Sequence, residues 1–376
     1  RPSPLPRTLP GLKRRPWPIR SASLGPRLMS SELKRTLGTY DLTLLVVGSV
    51  IGSGVFIVPS VVLRQSGGHV PTAMFAWLIG GVLSLIGALS YAELSSMDRS
   101  AGGLYAYIRE AFGAFPAFLY GWTLFFVIGA GTIATLAVAT TDYLGQFFAF
   151  SPLGAKAVAV GLLLITGAIN VKGTRESASV QNISSWIKIG GIVVMGTLLL
   201  TLGDSPVLES TSDAGGTTLT AIGLAMISVL WAYEGWQYVT FSDGEAIDPQ
   251  RMIPRALVIG TTALTALYLF ANLGYLAAMG ADRVASSERV AAEAVTTVLG
   301  STAGSLVAII IIISMFSAAH SVVITAPRVY FAMAKDEVFF RKLAEVHPRF
   351  GTPAFAIIAS CSWAAVLAAT GTFEQL

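Results

Sequence analysis

Nine apolar runs succeed one another along the chain, at residues 42–63, 70–92, 116–140, 155–171, 180–203, 217–241, 256–280, 298–327 and 352–372. About 20 apolar residues span the hydrocarbon of a bilayer as a helix, so the pattern predicts nine membrane spans. The fourth reaches that length only if Lys156 sits at its outer edge. Several runs hold Gly or Pro near the middle, which a membrane helix tolerates when neighbours satisfy the freed backbone groups. The predicted class is an all-α polytopic membrane protein.

Composition points the same way. Of 376 residues, 53% are hydrophobic and 12% are charged, about half the charge of an average soluble domain. Mean hydropathy is +0.68. A soluble enzyme, a nucleic-acid binder and a disordered chain all fit these values poorly. A single cysteine, Cys361, excludes an intramolecular disulfide and a thiolate metal cluster.

The net charge of +4 divides unevenly. Residues 1–38 hold nine Lys/Arg and one acid, and the remaining 16 Lys/Arg face 20 acids. The basic, Pro-rich tail 1–38 is expected to be disordered or non-native, with Met29 near the true start. The acid-free, Arg-rich character of residues 1–30 also permits an organelle transit peptide. Residues 39–376 form the predicted membrane domain. With the N-terminus inside, 20 Lys/Arg fall in inner segments and four in outer loops, and without the tail the split is still 11 to four. That imbalance predicts a cytoplasmic N-terminus.

Three features interrupt the apolar pattern. In span one, Gly52-Ser53-Gly54 followed by Pro59 favours local unwinding, with the N-terminus of the next half-helix presenting N–H groups and partial positive charge. A carboxylate suits that place, with the Ser53 hydroxyl as a further donor. Close helix packing through small residues is the alternative. In span six, Trp231-Ala232-Tyr233-Glu234-Gly235-Trp236 puts an acid within an apolar run. Opened carbonyls with that carboxylate suit an ammonium group, whereas the aromatics alone would suit an interfacial belt. In span five, Lys188 lies about 12 Å from the inner end at 1.5 Å per residue. It either snorkels to the surface or bonds to neighbouring helices as a fixed or titrating cation. His320 in span eight is a weaker candidate.

Broken spans five apart, one and six, are the signature of an inverted repeat of five helices with the ligand between the repeats. The first repeat is expected at about 39–203 and the second, incomplete, at about 217–376.

Six segments carry a family resemblance: GSVIGSGVF (48–56), ALSYAELSSMDRSAGGLYAYIREAFG (88–113), FLYGW (118–122), WAYEGW (231–236), DPQRMIPRAL (248–257) and PRVYFAMAKDEVFF with HPRFGTP (327–353). Together they resemble the amino acid–polyamine–organocation superfamily, in particular its L-type amino acid transporters, from about Leu37 onward. The resemblance implies a five-plus-five inverted-repeat fold, alternating access, and amino acid transport by exchange or proton coupling, with no enzymatic role, cofactor or metal. By position it implies that Ile51, Gly52, Ser53 and Gly54 receive the substrate's carboxylate and amine. Trp231, Ala232 and Glu234 match the second break, with Trp231 as an aromatic gate. Lys188 matches a fifth-helix lysine that in relatives occupies the place of a sodium ion, with Ser314 and Ser317 as candidate neighbours.

Two departures stand out. Residues 141–156 lack the cysteine that links animal members to a heavy subunit, so such a partner is not expected. The family usually has about twelve spans, so a chain of nine is expected to be truncated. The expected setting is the lipid bilayer of the inner cell membrane, without nucleic acid. A polyamine or organic-cation carrier, or a truncated non-transporting membrane protein, are the other readings.

Overall fold

The structure is a computed structural model that describes residues 33–97, 101–207 and 219–372. The expectations for residues 1–32 lie outside the described part.

All the regular elements described are helical. The first apolar run forms two helices, α1 (Thr39–Val50) and α2 (Gly54–Gln65), bent by 48° across residues 51–53. The next spans are α3 (Val70–Met97), α5 (Ala114–Thr123) running through a π-helical stretch into α6 (Ala130–Leu144), α7 (Pro152–Lys172) and α8 (Thr174–Leu202). The sixth run gives α9 (Leu219–Ala232) and, past a break, a 3₁₀ segment Trp236–Glu245. Then come α10 (Pro249–Ser286), α12 (Ser301–Lys335) and α13 (Ala354–Thr370). Two short helices, α4 (Leu104–Phe112) and α11 (Val290–Leu299), link spans.

Eight of the nine expected spans meet a membrane-crossing length among the described residues, counting the bent pair as one. The ninth, α13, has 17 residues, about 25 Å at 1.5 Å per residue. The sixth run departs most from expectation. Beyond Gly235, Val239, Thr240, Ser242, Asp243 and Gly244 are weak helix formers, and the chain tightens into 3₁₀ geometry.

α1 packs against α8, α10 and α12, and α12 is the most buried long helix. This arrangement carries the first break into the protein interior. Near the start of α8 and the end of the sixth run, Arg328 of α12 and Glu245, both fully buried, form a bidentate pair at 2.7 and 2.8 Å. Thr174 Oγ1 donates to the same carboxylate at 2.7 Å. The backbone N–H groups of Thr36 and Leu37 donate to Glu245 O, tying the segment before α1 to the end of the sixth run. The seal therefore joins the first and sixth spans, α8 and α12.

Candidate functional site

At residues 51–53 the ladder of α1 stops: Ile51 N–H donates to Val47 O, but Gly52 N–H turns to Val50 O at 2.8 Å. A helix end leaves carbonyls without intrahelical partners, and side chains supply them here. Lys188 Nζ donates to Gly48 O at 2.7 Å and Ile51 O at 2.6 Å. Ser314 Oγ lies 3.0 Å from Ile51 O and 2.8 Å from Gly52 O. Tyr268 OH lies 3.3 Å from Val50 O and 3.0 Å from Ala232 O, so one hydroxyl bridges both breaks.

Lys188 is fully buried. Snorkelling is therefore excluded, because the ammonium is buried against the carbonyls of α1. Ser314 joins it there. Ser317, one turn on, is buried but its hydroxyl has no partner among the described residues and it does not reach these carbonyls. His320 Nδ1 contacts Gln181 Oε1 at 3.3 Å and its ring stacks on Phe316, making a separate buried contact between α12 and α8.

The second break faces the first. Gly235 has φ 121°, a conformation that favours glycine. Its carbonyl accepts from Ser49 Oγ at 3.0 Å. A Cβ on Gly54 would lie 3.2 Å from the backbone and side chain of Ala232, so glycine permits the two breaks to approach closely.

Between them lies a cavity of about 400 Å³, lined by Gly52, Ser53, Gly54, Trp231, Ala232 and Glu234, together with Thr132, Thr135 and Ala318. Ser53 opens α2 without spending its hydroxyl on a cap bond. Phe56 N–H donates to Ser53 O at 3.1 Å; the N–H groups of Gly54 and Val55 before it open the helix, where the dipole adds partial positive charge. The carbonyls of both breaks are already engaged: on the second, Ala232 O accepts from Tyr268 and Trp231 O from Glu234 N–H, and on the first, Ile51 O accepts from both Lys188 and Ser314. The carboxylate of Glu234 is accordingly the strongest acceptor in the cavity. It accepts from Gln237 Nε2 at 2.6 Å and from the Tyr238 hydroxyl, and its residue is exposed to the cavity. It also faces a neighbouring cavity of about 510 Å³ walled by Tyr91, Tyr120, Trp236 and Tyr238. Trp231 is 63% exposed at the rim.

Of the expected residues, the structure gathers Gly52, Ser53, Gly54, Trp231, Ala232 and Glu234 around one cavity. Ile51, Lys188 and Ser314 lie behind the break, and Ser317 and His320 are apart. Sequence reasoning missed Thr132, Thr135 and Tyr268. Hydroxyls at i and i+3 within the apolar third span were the available signal for the threonines. Nothing in the pattern distinguished Tyr268 from other span tyrosines.

The profile of the amino acid permease family matches residues 37–372. The serine/threonine exchanger SteT of Bacillus subtilis is 35% identical over 335 residues, covering 86% of this chain and 74% of that protein. Human b(0,+)-type amino acid transporter 1 is 30% identical over 336 residues, covering 88% and 69%. Among solved structures, the nucleobase-cation-symport-1 family transporter MHP1, closed with bromovinylhydantoin bound, superposes with a TM-score of 0.61 at 16% identity, covering 94% of this chain and 77% of that one. A Na⁺-coupled sialic acid symporter in a substrate-bound outward-open state gives 0.59 at 13% identity, covering 88% and 74%. The likeness to these two is one of fold.

Proposed function

We propose, because the chain belongs to the amino acid permease family of the amino acid–polyamine–organocation superfamily, that it is a secondary amino acid transporter working by alternating access. Its relatives are transporters and not enzymes, and the chain is a multi-pass membrane protein. The observation that carries the reading is the cavity between two facing helix breaks. The substrate's α-carboxylate docks on the first turn of α2, aided by Ser53, and its α-ammonium lies against the carbonyls of both breaks. Trp231 covers the bound molecule. The two repeats on either side, about 39–203 and from 217 onward, rock about this site.

Exchange is the preferred mode, in keeping with the name of the Bacillus relative. Proton coupling through Lys188 is the second reading, favoured by an ammonium held on the carbonyls of the moving break. In either mode a cation already occupies the space behind the break, which supports sodium-independent transport. The excess of inner-segment Lys/Arg supports a cytoplasmic N-terminus in the cell membrane. The missing cysteine at 141–156 supports action without a disulfide-linked heavy subunit.

Glu234 gives the site a place for a cationic side chain, which can pass the carboxylate toward the aromatic walls of the adjoining cavity. Counterflow in proteoliposomes tests the assignment. Preloaded unlabelled amino acid should drive uptake of labelled arginine and of labelled neutral amino acids. Glu234→Gln should weaken competition by arginine about tenfold, leaving neutral competitors within about twofold; equal losses for both would remove Glu234 from side-chain selection. Absence of counterflow for all twenty amino acids would reject the transport reading itself.

A further inference from the structure

A second built surface lies on the opposite side of α1 from the substrate cavity. A trough of about 580 Å³ runs between α1, α8 and α10, walled by Leu44, Val47, Ile189, Ala263 and Leu267. On its wall, Trp186 Nε1 donates to Tyr40 OH at 2.7 Å, and both rings are more than half exposed. Hydrogen-bonding aromatics with one apolar and one polar end are the residues found at the headgroup level of a membrane.

One turn of α10 before the trough stands a cation. Arg255, Ile259, Ala263 and Leu267 recur every four residues on α10, so Arg255 lies on the trough's face, about 6 Å before Ile259 at 1.5 Å per residue. Arg255 is exposed and has no hydrogen bond or ion pair among the described residues. Its neighbour Arg251 has Asp248 at 3.8 Å. Along α10 the free cation therefore precedes the apolar trough, about 18 Å from Arg255 to Leu267, with the hydrogen-bonding aromatic pair on the trough's wall.

We infer that this trough is a specific site for an anionic phospholipid. The phosphodiester pairs with Arg255, the glycerol ester region meets the Tyr40–Trp186 pair, and one acyl chain fills the trough. The order of chemistry along the groove is that of the lipid, and the unpaired cation selects an anionic headgroup over a zwitterionic one or a sterol. The position gives the site a consequence. Val47 and Leu44 wall the trough, while the next residue, Gly48, is tethered to Lys188. A chain in the trough braces α1 against α8 and α10 on the face opposite the substrate.

Native mass spectrometry of the purified chain, titrated with phosphatidylglycerol, phosphatidylcholine or cholesterol, tests the inference. One cation near an anionic headgroup corresponds to about fivefold in affinity, ~1 kcal/mol. Phosphatidylglycerol should therefore bind roughly fivefold tighter than phosphatidylcholine, with one molecule preferred. Arg255→Gln should bring the two lipids to parity, while Arg341→Gln, a change at an exposed cation elsewhere, should leave the preference intact. Ala263→Trp should fill the trough and abolish the preferred adduct; Ala266→Leu, a smaller change in the same wall, should weaken it. Equal binding of both phospholipids, loss of preference in Arg341→Gln, or cholesterol outcompeting phosphatidylglycerol would each overturn the site.

Discussion

Replacing Lys188 by Met tests whether the buried ammonium governs the first break. The side chain makes two charge-assisted hydrogen bonds to backbone carbonyls, at 2.7 and 2.6 Å. Ile51 O would keep Ser314 as a donor, but Gly48 O would lose its sole partner among the described residues, since Gly52 N–H has turned to Val50 O. One orphaned buried carbonyl costs about 1–3 kcal/mol. Removing a buried ammonium relieves desolvation in the other direction, so the net loss of stability should be at most about 3 kcal/mol. Thermal unfolding in detergent should fall by no more than about 10 °C. Turnover should suffer much more. If the alternate state lacks even one of the two bonds, their loss shifts the equilibrium by about 1.5–3 kcal/mol, or roughly 10- to 150-fold. Initial rates of counterflow in proteoliposomes should drop by at least about tenfold at unchanged reconstitution. Wild-type rates in a well-folded Lys188→Met protein would refute the tether. A collapse of Tm with proportionate loss of rate would make Lys188 a structural residue only.

Ser53→Ala removes one uncommitted hydroxyl from the cavity, which is worth about 0.5–1.5 kcal/mol; apparent affinity should weaken by roughly two- to tenfold at unchanged Tm, as read from competition curves. Arg328→Met leaves the Glu245 carboxylate buried beside Thr174 alone, a loss of about 3–5 kcal/mol. The double variant Arg328→Met with Glu245→Leu should recover most of that stability in thermal unfolding, and failure to recover would show that the charges are not what the seal depends on. Replacing sodium by choline in the transport buffer should leave counterflow rates within about twofold, because Lys188 already supplies the cation behind the break.

Much of the architecture was legible in the sequence, because a bilayer enforces long apolar runs and tolerates a broken helix only where other groups satisfy the backbone. Gly52, Ser53 and Gly54 marked the first break, and Glu234 with Gly235 the second, since a charged side chain within an apolar run is costly and is kept chiefly where it lines a cavity or a pathway. The limits of the runs were less legible. α8 begins at Thr174, six residues before its apolar run, where Thr174 and Ser177 are polar but buried inside the protein. α12 likewise continues to Lys335, since the charge of Arg328 is neutralised inside the protein by Glu245. The orientation of Lys188 was undetermined by spacing, as a side chain about 12 Å from the surface can reach it. Only the orphaned carbonyls of a partner helix decide the matter. Tyr268 was invisible for the same reason: its role is defined by Val50 and Ala232, distant in the chain.

The central claim is that an amino acid binds between the two helix breaks. Equilibrium binding of a labelled amino acid to purified protein, compared with Gly54→Leu, tests it most directly. A Cβ at position 54 already lies 3.2 Å from Ala232, so the longer side chain must enter the cavity or part the breaks. Saturable binding should be displaced by α-amino acids but not by their decarboxylated amines, and should fall at least about tenfold in Gly54→Leu. Unchanged binding in the variant, or equal displacement by the amines, would contradict the account.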